Sequence, residues 1–425
     1  MVNVSSSAER VLRSPRGGEN DQFATTVPDE PLHAVIIVEN MTVPPDRRVW
    51  QEAKALREAG WRVSVISPKV GSYTKPFEII DGIEIHRHPL PIEARGIASY
   101  ALEYSAAIAF QTQLLLKIGL KDIDVVQICN PPDFLFLPAL MAKKLGGAKV
   151  VFDHHDLTPE LLAEKLGVSK GPLVSFARWA QAQTFAAADE VISTNSAFKE
   201  IALQKSKQTD DTVTVVYSSP DLANYANVEP DPSLKQGAEH LLLWVGMMGS
   251  QDGIDLLLEA MVKLKLMPGG DDFHLLIAGD GPERVAMEAL AKDLGVDEQV
   301  TFAGFLQGED LAKAFVTADI GVGSDPKNPF NDRLAMNKVL EYMAHHLPIA
   351  MFDLNECRKI AGDSALYAAN NDAAALAAAI SNLLASPNTR TAMGERGFAR
   401  LECEYSWDRQ KDLYVGVYDR LNPKK

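Results

Sequence analysis

Asn337, Lys338 and Glu341 stand at the head of the segment NKVLEYMA, with the lysine and the carboxylate three residues apart and so on neighbouring positions of a helix. A carboxylate there can accept two hydrogen bonds from ribose hydroxyls, and a lysine beside it can counter phosphate charge. The plainer alternative is an i,i+3 surface salt bridge of about 0.2–0.5 kcal/mol. The polar, Pro-bearing approach DPKNPFNDRLAM, which carries Asn331, Asp332 and Arg333, favours a ligand. Tyr342, Met343 and Ala344 are assigned to packing.

A second constellation is ENMTVPPDRRVW, where Asp46 can cap a helix whose first turn then holds Arg47 and Arg48. Positive charge is disfavoured at that end of the helix dipole, so the pair makes sense if it meets phosphate or another anion. Ordinary pairing with Asp46 and Glu52 is the alternative. NPPD (Asn130 to Asp133) and FDHHD (Phe152 to Asp156) each follow a core-like strand and present polar side chains at its end. Adjacent His154 and His155 point opposite ways if extended, so that one enters the site. Two histidines with Asp153 and Asp156 suggest a metal, but no HExxH-like spacing is present and no metal is expected.

Two glycine turns complete the set. GDGP (Gly279 to Pro282) and GMMGSQDG (Gly246 to Gly253, with Gly249 and Ser250) lie between strand-like and helix-like segments. Gly279 and Gly281 permit a tight turn, Pro282 suits a first helical position, and a helix start offers free amides to an anion. Simple strand-to-helix turns are the alternative. No GxGxxG fingerprint and no GxxxxGK[ST] loop occurs.

The elements that must position these groups repeat. AVIIV from Ala34, a helix over about Pro45 to Ala59, and VSVIS from Val63 form a βαβ unit. FEIIDGIEIHRH predicts a hairpin at Asp81-Gly82. Helices near Ala98 to Lys117 and Phe134 to Leu145 alternate with strands at Val125, Lys149, Val191 and Val213. A second cycle starts with LLLWVG at Leu241 and continues through HLLIAG, VTFAG, DIGVGS and PIAMF. This predicts an α/β protein of two doubly wound domains, 32–220 and 240–404, joined by a linker at 221–239. Residues 1–31 form a flexible tail, and a final helical segment, 405–425, returns to the first domain. In such sheets ligands meet the carboxyl ends of the strands, so two facing sheets line one cleft.

Composition narrows the partners. The chain has 425 residues, 46% of them hydrophobic, enough for more than one core, and a formal net charge of −15 argues against a broad nucleic-acid surface. Three scattered cysteines argue for a reducing compartment rather than a disulfide framework. No apolar run approaches the roughly 18 residues of a membrane span.

AGDGPE, VTFAGFL and NKVLEYMAHHLPIA, together with PPDRRVW, NPPD, FDHHDLTPE and GMMGSQDG, resemble the retaining GT-B glycosyltransferases. The likeness is to the large family with sucrose-synthase-like and bacterial mannosyltransferase members, in particular the polysaccharide-type ones, and it runs from about Pro31 to Asn422. The resemblance implies two Rossmann-like domains around a cleft, the first receiving the acceptor and the second the nucleoside-diphosphate sugar. It implies that Glu341 binds ribose, Phe305 and Leu306 lie near the base, GDGP lies in the donor domain, and His155 contacts the transferring sugar. Asp46, Asn130, Asp133 and Asp156 fall on the acceptor side.

Three positions depart from the family. Arg333 stands where many relatives have an acid, and Met247 and Asp252 replace a basic pair beside the glycine loop. Lys338, Arg333, Arg47 and Arg48 are then the candidates for stabilising diphosphate. The implied reaction transfers a sugar with retention to a glycan, small-molecule or lipid-linked acceptor, without a tightly bound cofactor. The implied location is cytoplasmic, with transient association at the inner face of the membrane. A non-hydrolysing nucleotide-sugar epimerase and a noncatalytic nucleotide-binding assembly protein are the alternatives.

Overall fold

A computed structural model describes residues 31–90, 97–165, 168, 170–222, 228–270 and 272–421. The expected tail before Pro31, and part of the expected linker, lie outside the described residues.

The first sheet comprises β1 (His33–Val38), β2 (Arg62–Pro68), β3 (Phe77–Ile80), β4 (Ile83–His88), β5 (Val125–Cys129), β6 (Lys149–His154), β7 (Glu190–Ser193) and β8 (Val213–Val215). Their order is β3-β4-β2-β1-β5-β6-β7-β8. All neighbours are parallel except β3 and β4, which form the hairpin read from Asp81-Gly82. Both turn residues are left-handed, at φ 52° and 77°, as the two-residue turn between twisted strands requires. The apolar run of β1 is buried on both faces, as a parallel strand covered by helices must be. Helix Arg47–Glu58 packs Val49, Ala53 and Leu56 inward, and its Asp46 cap accepts from the Val49 amide at 3.1 Å.

The second sheet comprises β9 (His240–Val245), β10 (Phe273–Ala278), β11 (Val300–Gly304), β12 (Ile320–Gly323), β13 (Ile349–Phe352) and β14 (Ala365–Ala368), in the order β11-β10-β9-β12-β13-β14. Its strands are all parallel. The winding reverses between β9 and β12, as it does between β1 and β5 in the first sheet. Loops leaving a reversal point diverge and open a crevice at the carboxyl ends of the strands, and the two crevices face one cleft.

Between Phe352 and Trp407 the sequence reading named no element. The structure places β14 there with helices Asn355–Ala361, Ala373–Leu384 and Pro387–Arg400. The segment AAALAAAISNLL is apolar nearly throughout, so its helical face carries little polar contrast to read.

The C-terminal helix, Trp407–Leu421, lies on the first sheet. Tyr414, Val417 and Tyr418 share one core with β1, β2 and β5, and Trp61 meets the Tyr418 ring edge-on at 5.4 Å. Burying each of these side chains contributes about 1.5–3 kcal/mol. The chain thus passes between the sheets twice, after β8 and again near Tyr405. The crossings touch: the Tyr217 amide donates to Gln410 Oε1 at 3.0 Å, and the Tyr217 and Tyr405 rings meet edge to face at 4.9 Å. Among the described residues no helix is long and apolar enough to cross a membrane.

Candidate functional site

On the first side of the cleft the two histidines of FDHHD separate as the alternation of a strand dictates. His154 is fully buried among Phe152, Phe185 and Phe198, and burial pushes its pKa down to about 3. His155 reaches the cleft margin with its Nε2 against Asp153 Oδ2. The Asn130 side chain fixes this bend: its Oδ1 accepts from the amides of His155 at 2.7 Å and Asp156 at 3.1 Å, while Nδ2 donates to the Asp156 carbonyl and to Asp133. Asp133 is buried beneath it, and burial pushes its pKa up to about 7. Asn130 and Asp133 therefore shape the loop from within, and Asp46 is occupied in capping its helix.

The two arginines have different partners. Arg48 is buried and holds Asp153 at both oxygens, Nη2 to Oδ1 at 2.8 Å and Nε to Oδ2 at 3.1 Å. It also lies 3.1 Å from Glu52, and Nη1 donates to the Val216 carbonyl at 2.9 Å and to Ser218 Oγ at 3.2 Å. Ordinary ion pairing, the alternative weighed from sequence, describes Arg48 in this arrangement. Arg47, 58% exposed, crosses the cleft and meets Glu341 Oε1 at 2.5 Å.

Cys129, Asp153 and His155 bring three potential metal-ligating atoms within 4.8 Å of one another. The guanidinium of Arg48 occupies the same carboxylate, so the donor set is already charge-compensated and does not fit a resident cation.

On the second side, Glu341 is buried in the second turn of helix Asn337–Ala344, which leaves the loop after β12 at the reversal point. Asn337 is exposed. Lys338 does not make the i,i+3 surface bridge to Glu341. It turns inward and pairs with Asp325 at 2.9 and 3.2 Å, with its ammonium 4.5 Å from the centre of the Trp244 ring. Asp252 lies near this pair. Burial raises its pKa to about 6, Lys338 opposing and Asp325 reinforcing. Two carboxylates thus surround one ammonium, so the lysine brings little net positive charge.

The glycine turns interlock. A Cβ on Gly279 would sit 1.8 Å from the Gly246 carbonyl oxygen, one on Gly281 would meet Met248 backbone at 2.5 Å, and one on Gly253 would meet the Ser324 carbonyl at 2.2 Å. Met248 and Asp280 also join by a 3.0 Å backbone hydrogen bond. Close approach, rather than a left-handed dihedral, is what demands Gly279 and Gly281. Pro282 is not the first helical residue: the helix begins at Arg284, without a side-chain cap. Ser250 is exposed, Phe305 is 72% exposed past β11, and Leu306 packs partly into the core.

The Arg333 carbonyl accepts from Asn195 Nδ2 of the first half at 3.0 Å, and Phe330 packs with Leu157, Phe198 and Ile201. The Arg333 side chain lines a crevice of about 540 Å³ with Glu200, Asp332 and Lys359, on the flank of the cleft rather than beside Glu341. Asp325 and Gln127 were assigned no role from sequence, whereas the pairing of Arg48 with Glu52 was weighed there. Gln127 left a signal, being the lone polar residue in the buried strand VVQIC.

Two family models match the chain: the glycosyl transferase 4-like domain over residues 45–217 and glycosyl transferases group 1 over residues 239–386. The chain is 27% identical over 183 residues to alpha-D-kanosaminyltransferase of Streptomyces kanamyceticus, covering 43% of this chain and 46% of that one. It is 30% identical over 178 residues to the lipopolysaccharide core biosynthesis glycosyltransferase LpsE of Rhizobium meliloti, covering 41% and 48%. The chain spans about half the length of the curated relatives it matches.

Solved structures match over nearly the whole length. Sucrose-phosphate synthase from Thermosynechococcus elongatus superimposes with a TM-score of 0.71 at 19% identity, covering 92% of this chain and 99% of that one. HepE of Anabaena, in complex with UDP and glucose, does so with a TM-score of 0.69 at 12% identity, covering 92% and 100%. These likenesses establish the GT-B architecture.

Proposed function

Since the chain is a GT-B-fold relative of the bacterial nucleotide-sugar glycosyltransferases, we propose that it moves a sugar from a nucleoside-diphosphate donor to an acceptor hydroxyl, with retention at the anomeric carbon. The observation that carries this reading is the buried carboxylate of Glu341 at the reversal point of the second sheet, facing a cation from the opposite half.

Glu341 accepts hydrogen bonds from the two ribose hydroxyls. A ribose that takes this carboxylate releases Arg47 to the diphosphate attached to it. The helices starting at Ile254, Arg284 and Asn337 lack side-chain caps and offer backbone amides to the same anion. Because Lys338 is neutralised by its acids, Arg47 and these amides supply most of the stabilisation of charge on the departing diphosphate. The acceptor hydroxyl attacks from the face the diphosphate leaves, the leaving phosphate takes its proton, and the glycosidic bond forms as the sugar–phosphate bond breaks. His155 orients the sugar. A glycan or lipid-linked acceptor enters from the side of His155, Asp156 and Asn130, as in glycoconjugate synthesis, and the two halves act as acceptor and donor domains.

Calorimetry with UDP, GDP and ADP, on the parent and on Glu341→Ala, tests the assignment. Loss of the carboxylate is expected to weaken the preferred nucleotide roughly 10- to 100-fold, the equivalent of about 1.5–3 kcal/mol for hydrogen bonds to a charged group. Unchanged affinity removes the ribose role. A panel of nucleotide sugars with lipid extract, followed by donor consumption and glycoconjugate mass, tests transfer; conversion of free donor without a glycoside product overturns it.

A further inference from the structure

Behind His155 lies a buried polar mesh that ends at the crossover after β8 and at the C-terminal helix that follows the second crossover. We propose that Arg48 and Gln127 are positioning residues that tie the orientation of His155 to the two crossovers. The inference rests on the transfer reading for the role of His155, but not for the mesh itself.

One arm begins in the C-terminal helix. Tyr414 and Tyr418 donate to Gln127 Oε1 at 2.8 and 2.6 Å. Gln127 Nε2 donates to Glu52 Oε2 at 2.7 Å and approaches Asp153 Oδ2 at 3.5 Å. This orientation of the amide is the favourable one. Turned over, its oxygen would face the ionised Asp153 carboxylate, and two acceptors would meet with no proton between them. Asp153 in turn holds His155 Nε2.

The other arm is Arg48. Its Nη2 and Nε hold Asp153, and its Nη1 holds Val216 and Ser218, in the crossover after β8. The crossovers also grip each other: Ser219 Oγ donates to the Tyr405 carbonyl, and Gln51 Nε2 donates to the Ser219 carbonyl at 3.3 Å.

The mesh is nearly dry. Gln127, Glu52 and Asp153 have no exposed surface. Two carboxyls share one guanidinium, and burial together with Asp153 raises the Glu52 pKa. Burial also works against an ionised Asp153, but Arg48 and His155 outweigh it and hold Asp153 below the ordinary carboxylate range. Side chains bonded to one another this far from solvent have few alternative arrangements, so a shift at either end is passed on through the mesh. A change in the angle between the halves bends those crossovers, and the mesh carries that bend to the imidazole. His155 is thereby set for the sugar only at one angle.

The double variant Tyr414→Phe with Tyr418→Phe removes both donors and keeps the rings. The imidazole NMR signals of His155, assigned by their loss in His155→Gln, are expected to shift between the parent and this variant. kcat is expected to fall about tenfold, with KM for the donor within about twofold, the mark of misorientation rather than lost binding. Lys411→Ala, which removes an exposed pair with Glu58 from the same helix, is expected to change neither. Unmoved His155 signals with unchanged kcat overturn the proposal, as does an equal change in Lys411→Ala. If the double variant does not fold, Tyr414→Phe alone reads the same shift in smaller degree. Absence of turnover in the parent would count against the transfer reading and leave the comparison of His155 signals intact.

Discussion

On the first side of the cleft His155 stands on charged side chains that hold one another away from solvent, whereas on the second side the loops around Glu341 are held by backbone touching backbone at glycines. In the first, position is set by hydrogen-bond partners, and removing one strands the others. In the second it is set by volume, and adding one carbon displaces a carbonyl. The two halves share a winding pattern, yet they are sensitive to opposite kinds of substitution: loss of charge on one side, gain of bulk on the other.

The largest effect is expected from Arg48→Ala, which leaves Asp153 and Glu52 buried without their guanidinium. Breaking a buried pair from one side costs about 3–5 kcal/mol, readable by urea denaturation. A loss under about 1 kcal/mol, as for exposed pairs, would erase the contrast between the sides. Next comes Gly279→Ala, whose Cβ would fall 1.8 Å from a backbone oxygen that has no side-chain freedom to yield. It is expected to cost about 3 kcal/mol and to weaken nucleoside-diphosphate binding. Normal affinity in this variant would mean that the interlocked turns do not shape the donor site.

The smallest of the three concerns Asp252, the titrating group that interrupts the glycine architecture. Its folded pKa, about 6, lies above its ordinary value, so the folded protein holds this proton more tightly than the unfolded chain does. The associated stability is present below about pH 4 and is lost as pH rises through 6, on the order of 2 kcal/mol. Asp252→Asn is expected to flatten that decline between pH 4 and 7. An unchanged slope would place the titration elsewhere.

Much of the scaffold was legible because its strands are short apolar runs buried on both faces and its first helix carries a plain stripe of Val49, Ala53 and Leu56. The hairpin followed from Asp81-Gly82. In the stretch after Phe352, the helix Ala373–Leu384 was not legible because its Ala-rich run carries little polar contrast between faces. The candidate site residues were picked where a loop interrupts the α/β rhythm, and apart from Glu52 their partners were not legible. Lys338 has Glu341 three residues away and pairs instead with Asp325, thirteen residues back, because the loop after β12 folds over the helix start. Arg47 and Arg48 are neighbours in sequence, yet successive helix positions lie about 100° apart, so one crosses the cleft and the other enters the interior. Gln127 and Tyr414 are 287 residues apart, and no local pattern links them.

That last separation bears on how the protein is made. The first sheet is synthesised early, but Gln127 and the apolar surface around Trp61 receive Tyr414, Val417 and Tyr418 only after the whole second sheet has emerged from the ribosome. Closing so long a loop is entropically slow, and the waiting surface is both apolar and hydrogen-bonding. The first half is therefore finished last, and its exposed seam is the place where an incomplete chain is most open to chaperones, proteases and aggregation.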